Sequence, residues 1–246
     1  MITRRLFLAA TLPAVVMGVP VLAAGADSPL RNRRNRREEV EPVAEFHRQD
    51  GRAGFVLDRS GDVWLLQPLN GGEVLALAPQ RAPGGDTSFQ TDWGQEIIRV
   101  SSIGAVTYYP EDQPNGVIAE EWEPARPIEI PDAGVDALRN RVTEAALELA
   151  DLFGRPIQVE YGAAPRDGLG MMVETFDRLV EAMELALDEG ANLQALNRVK
   201  VATADAPSME FAADQFLVRI NPLTGYAGRP SSIRMARALA AGSIPA

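Results

Sequence analysis

The chain has 246 residues, 46% of them apolar, and 24 basic against 34 acidic side chains for a net charge of −10. That composition fits a soluble globular protein with a sizeable core, and its acidic balance argues against nucleic acid and anionic membrane surfaces as partners. With no cysteine and a single histidine, His47, the sequence excludes disulfides, thiol nucleophiles, lipid attachment through cysteine, and thiolate or multi-histidine metal centres, and no cofactor or metal is expected.

Residues 1–26, MITRRLFLAATLPAVVMGVPVLAAGA, place Arg4 and Arg5 before an uncharged run that ends in Ala24-Gly25-Ala26. A positive start, an apolar middle and a small-residue end form the pattern of a cleavable export signal, with Ala26 as the cleavage position. The piece Thr3-Arg4-Arg5-Leu6-Phe7-Leu8 resembles the twin-arginine motif, read by a translocase that carries folded proteins. The alternative is an N-terminal membrane anchor, since about 20 apolar residues can span a bilayer. Arg31, Arg33, Arg34, Arg36 and Arg37 follow the run, a bias that would hold the C-terminal side in the cytoplasm. Pro13, Gly18 and Pro20 weaken a continuous helix and favour the cleaved signal. The expectation is a periplasmic or exported protein whose mature form has no stable membrane span. A basic patch directly after the signal favours the twin-arginine route over the general secretory one.

Without residues 1–26 the chain keeps 220 residues with 22 basic and 34 acidic side chains, a net charge of −12. Residues 27–42, DSPLRNRRNRREEVEP, carry almost no apolar content and read as a disordered arginine-rich arm. Its arginines either neutralise the adjacent Glu38, Glu39 and Glu41 or dock on an acidic partner.

An antiparallel β module is expected over residues 43–123. Seven short apolar runs recur at 53–57, 63–67, 73–78, 87–91, 96–100, 105–109 and 117–122. Turn residues such as Asn70-Gly71-Gly72, Trp93-Gly94 and Asn115-Gly116 separate them. Even spacing of this kind predicts a meander that closes into a small sandwich or barrel. Prolines 124, 127 and 131 mark a linker over 124–131. An α+β module is expected over 132–246. Val135, Leu138, Val142, Ala145, Leu149 and Leu152 predict one helix, with Asp132 as N-cap, Gly154 just past its end and Pro156 beyond. A strand follows at 157–161. Met172, Phe176, Leu179, Val180, Met183 and Leu187 predict a second helix, stopped near Gly190 and capped by Asp167. Residues 199–203 and 216–220 read as a strand pair, and 231–241 as a terminal helix. The fold class is α+β, with no internal repeat.

Candidate chemistry is sparse. His47 would suffice for a Ser–His–acid arrangement, but no G-x-S-x-G elbow appears and it stands ahead of the first predicted strand. Asp86, Asp92 and Glu96, or Glu120, Glu121 and Glu123, could supply a glycosidase carboxylate pair, though aromatics make up only 6% of the chain. No loop has the alternating ligands of an EF-hand. The segment around Arg229, Ser231 and Ser232 leads glycines into a helix start, where exposed amides and an arginine suit an anion. Ordinary capping by either serine, with Pro230 setting the chain direction, is the plainer account. If the loop holding Arg166 and Asp167 converges on Arg229, the three residues would frame a pocket for a small anionic ligand.

The stretches FVLDRSG at 55–61, RAPGGDTSFQTDWGQEIIRVSSIGAVTYY at 81–109, YGAAPRDGLGMMVETFDRL at 161–179 and GYAGRPSSIRMARALA at 225–240 are similar to a family of uncharacterised exported alphaproteobacterial proteins, a domain of unknown function. The resemblance covers nearly the whole mature chain and carries over no catalytic residue. Together these readings describe a non-enzymatic binding or interaction protein of the cell envelope, recognising an envelope protein or a small anionic ligand. The alternative is a periplasmic hydrolase using carboxylates or a serine with His47.

Overall fold

A computed structural model describes residues 41–242, so the signal and anchor readings of residues 1–26 and the arm up to residue 40 lie outside the described residues. Eight strands run up and down in chain order: β1 Val43–Arg48, β2 Phe55–Asp58, β3 Trp64–Pro68, β4 Leu75–Arg81, β5 Thr87–Gln90, β6 Glu96–Val100, β7 Val106–Tyr108 and β8 Val117–Pro124. Each pairs antiparallel with its predecessor, and β8 returns to β1 to close a barrel. Seven of these strands match the seven predicted runs, and the barrel is the closed one of the two predicted forms. The eighth, β1, is a correction. His47 lies inside it, paired with Glu120 of β8, whereas the sequence had placed it ahead of the first strand. Alternation is present in VAEFHR, but two of the three positions on the Phe46 face hold a small or a charged residue, Ala44 and Arg48, so the apolar signal is weak.

Phe46, Phe55, Leu57, Leu66, Leu77 and Ile98 are almost fully buried and form the first core. Register puts several of them opposite one another: Phe46 faces Phe55, and Leu57 faces Leu66. The opposite face of β3 and β4 is also partly covered, because Leu65 and Ala76 pack on a second core.

That second core belongs to three helices and a small sheet. Helix α1 is Val135–Phe153, α2 is Leu169–Asp188 and α3 is Ser232–Gly242; the strands are β9 Gln158–Tyr161, β10 Arg198–Thr203, β11 Ser208–Ala212 and β12 Gln215–Ile220. Their order is β11-β12-β10-β9, with β10 parallel to both β9 and β12. The predicted pair at 199–203 and 216–220 is therefore real and parallel. Strand β11 has no counterpart in the sequence reading, because SMEFA alternates over only two large apolar residues, Met209 and Phe211. Helix α2 is the central element, burying Met172, Phe176, Leu179 and Met183. Two expected caps are corrected. The α1 N-cap is Gly134, and α2 follows a 3₁₀ turn over Arg166–Gly168 with Gly168 at its N-cap, so neither Asp132 nor Asp167 caps. Gly154 ends α1 in the left-handed region, as predicted.

The proline-rich stretch after β8 is pinned. The Ile128 amide donates to Asp58 Oδ2 at 3.1 Å, and the Tyr226 hydroxyl donates to the Glu129 carbonyl at 3.3 Å. In an up-and-down barrel alternate hairpins fall at opposite ends. The β3–β4, β5–β6 and β7–β8 loops therefore share one end, and α2 and α3 lie against it. No helix among the described residues is long and apolar enough to cross a membrane.

Candidate functional site

A helix begins with amides that have no partner inside the helix, and the positive end of its dipole favours a carboxylate there. The start of α3 meets two. From the β5–β6 hairpin, Asp92 Oδ2 accepts from the Ser231 amide at 3.0 Å and Oδ1 from the Ser231 hydroxyl at 2.6 Å. From the β3–β4 hairpin, Glu73 Oε2 accepts from the Ser232 amide at 3.1 Å and its hydroxyl at 2.6 Å. Ser231 Oγ accepts in turn from the Arg234 amide at 3.2 Å, closing the first turn. The tight β5–β6 turn depends on Gly94, whose φ of 84° suits glycine.

Arg229 completes the group. Its guanidinium pairs with Glu73, reaches Glu174 Oε1 at 3.3 Å and donates to the Val74 carbonyl at 3.2 Å. It also lies 5.5 Å from the centre of the Tyr226 ring. Its side chain is 2% exposed and that of Glu73 is 8% exposed, so this ion pair is shielded from water. Gly228 lets the chain fold back here, since a β-carbon would stand 1.8 Å from the Asn221 carbonyl oxygen. The residues expected to receive an anion do gather around carboxylates, and those carboxylates are the chain's own.

Arg166 and Asp167 are exposed, and their side chains make no hydrogen bond or ion pair among the described residues. The two loops do touch: a β-carbon at Gly168 would meet Pro222 at 2.9 Å. That contact does not bring Arg166 or Asp167 into the Arg229 group. His47 Nε2 lies 2.6 Å from Glu45 Oε1, and its ring stacks on Trp122 with centres 4.8 Å apart. No serine hydrogen-bonds to it among the described residues. The carboxylates considered as pairs are dispersed. Glu96 holds Arg99 at 2.6 Å, Glu121 holds Arg59 at 2.9 Å and Glu120 accepts from Gln49 at 2.7 Å. Asp86 precedes β5 and Asp92 follows it, which puts them at opposite ends of the barrel. No group of three or more metal-ligating side chains occurs among the described residues.

Beside the Glu73 lock lies a cleft of about 490 Å³ between the hairpin ends and helices α2 and α3. Leu75, Ile97, Leu185 and Ile233 supply apolar surface, and Trp93 and Tyr109 add aromatic walls. Glu111, Glu181, Glu189 and Arg237 are its charged side chains besides Glu73. Burial holds the Glu181 carboxyl above its ordinary range, opposed by the Arg178 guanidinium and reinforced by Glu73. A second cavity of about 170 Å³, bordered by Val63, Ala76 and Tyr226, shares Glu73, Leu75 and Trp93 with the cleft. At the same barrel end, Arg48 ties the β1–β2 and β7–β8 loops together through Asp50 and Asp112.

A family model described as a domain of unknown function, DUF4908, matches residues 26–239. The chain belongs to the DUF4908 family. Comparisons with curated proteins and with solved structures give no match. The DUF4908 span takes in the barrel, the small sheet, Glu73, Asp92, Arg229 and every residue of the cleft. Sequence reasoning missed Glu73 and Glu181. Glu73 reads as the polar first residue of the run EVLALA, and its partner stands 156 positions later. Glu181 reads as the solvated face of an amphipathic helix.

Proposed function

We propose that this DUF4908 chain is an exported, periplasmic protein of the cell envelope that binds a small ligand in the cleft between the barrel end and helices α2 and α3, without catalysing a reaction. The observation that carries the reading is the cleft itself. It is concave, lined by apolar and aromatic side chains together with several charged ones, and built on strands and helices fixed by a buried ion pair. Barrel mouths are common ligand sites, and pockets of about 300–1,000 Å³ suit small molecules. The non-catalytic part rests on the commitments of the candidate acids and base. Asp92 and Glu73 hold α3, and His47 faces Glu45 and Trp122. Support for export comes from the pattern of residues 1–26, which the family match leaves out almost entirely.

A fragment screen followed by amide chemical shifts on the mature chain tests the binding reading. Hits should perturb Leu75, Trp93, Tyr109 and Leu185, and the cleft-filling variant Leu185→Trp, checked for folding by circular dichroism, should lose them. A screen in which no fragment perturbs these residues overturns the reading.

A further inference from the structure

We infer that the cleft takes a small organic cation, a protonated amine or quaternary ammonium carried on an apolar body. This rests on the cleft being the binding site. The argument begins with the walls. Trp93 and Tyr109 border the cleft, and aromatic faces attract a desolvated cation. The Trp93 indole N–H is already committed to Gln95 Oε1 at 3.0 Å, so the ring face is what Trp93 has left to offer. Tyr109 already accepts one cation, with the Arg99 guanidinium 5.8 Å from its ring centre. The apolar floor of Leu75, Ile97, Leu185 and Ile233 suits an aliphatic or aromatic body.

Charge then sets the sign. Glu111 enters from the β7–β8 loop, Glu181 from α2 and Glu189 from the C-cap just past it, so carboxylates approach the cleft from both sides. The side chains of Glu111 and Glu189 have no hydrogen-bond or ion-pair partner among the described residues. Glu181 pairs with Arg178 at 2.6 Å, away from the cleft lining. Glu73 is neutralised by Arg229. Against these stands Arg237, whose Nη1 donates to the Trp93 carbonyl at 3.5 Å. The surplus is negative, and it lies beside the aromatic faces of Trp93 and Tyr109. A half-buried carboxylate such as Glu181 gains most from an incoming cation, because water screens it least. An anion would meet two unpaired carboxylates, Glu111 and Glu189, and one guanidinium in its favour.

The test uses three probes of matched body on the mature chain: hexyltrimethylammonium, hexanesulfonate and hexanol. The cation should bind about tenfold or more tightly than the other two, with shifts at Trp93, Tyr109 and Leu185. The triple variant E111Q/E181Q/E189Q, folded by circular dichroism, should bring its affinity down to that of hexanol. Equal or tighter binding of hexanesulfonate or hexanol at these residues overturns the cation assignment while leaving the cleft as a binding site. Cation binding that survives the triple variant unchanged overturns it as well. If no probe binds, the assignment fails, and the fragment screen then decides separately whether the cleft binds anything.

Discussion

Glu73 and Arg229 form an ion pair that joins the barrel to the layer packed on it, across 156 positions of sequence. Glu73 faces two ways: one oxygen meets the guanidinium, the other the amide and hydroxyl that open α3. Removing the carboxylate therefore both leaves a buried cation with only Glu174 as a carboxylate partner and uncaps a helix. Glu73→Ala should lower stability by about 3–5 kcal/mol, as expected when one partner of a buried pair is lost. The double variant Glu73→Gln with Arg229→Met should lose less than the two single changes summed. Urea unfolding measures both; a loss under about 1 kcal/mol for Glu73→Ala would show the pair to be solvated.

Asp92 acts on the same helix start from the next hairpin. Asp92→Ala removes two hydrogen bonds from Ser231 and a favourable charge at the dipole, and should cost about 1–2 kcal/mol. Asp92→Asn keeps acceptor geometry and should recover roughly half of that, the remainder being the charge. Identical thermal midpoints for wild type and Asp92→Ala would contradict a capping role.

Gly228 is constrained by space. A methyl group there would collide with the Asn221 carbonyl at 1.8 Å, with backbone rather than a movable side chain. Gly228→Ala should destabilise by more than about 2 kcal/mol, well beyond an ordinary loop glycine replacement. Gly71→Ala, which meets no atom within 4 Å but keeps a φ of 84°, is the control and should cost about 1 kcal/mol. Equal losses would remove the steric explanation.

Asp58 gives an acid-dependent term. Burial pushes its carboxyl up, but the Ser60 hydroxyl and amide and the Ile128 amide outweigh that and hold it below the ordinary 3.8. A folded-state value below the unfolded one means stabilisation that is present above the unfolded value and lost as pH falls through the folded one. Asp58→Asn should therefore be less stable than wild type at pH 7, with the gap closing below about pH 4. A pH-independent gap would assign the residue a purely steric role.

The export proposal has its own test. Replacing Arg4 and Arg5 by lysine should leave the precursor in the cytoplasm with residues 1–26 attached, detected by fractionation and mass spectrometry. Undiminished export would rule out strict dependence on the arginine pair, and an uncleaved, membrane-bound product would favour the anchor.

What the sequence disclosed follows from range. Turn glycines and short apolar runs are local, so seven strands were visible; β1 was hidden because Ala44 and Arg48 occupy inward positions where a longer apolar residue would have announced them. The amphipathic faces of α1 and α2 were equally plain, but their N-caps are glycines, one in extended backbone and one closing a 3₁₀ turn, and no side-chain signal marks those. At α3 the chemistry of an anion-receiving helix start was legible from Arg229, Ser231 and Ser232. Its occupants were not, because Glu73 and Asp92 belong to hairpins far earlier in the chain. The cleft depends on the same long-range packing and has no sequence trace at all.

The seam of the barrel joins its first strand to its last. A growing chain consequently has an open sheet with two exposed rims until residue 124 has left the ribosome, and only then can Val43–Arg48 find its second partner. Unpaired rims invite association with other chains. A route that moves the finished barrel across a membrane would complete that vulnerable interval inside the cell, under its chaperones. A route that threads the unfolded chain would carry it to the far side.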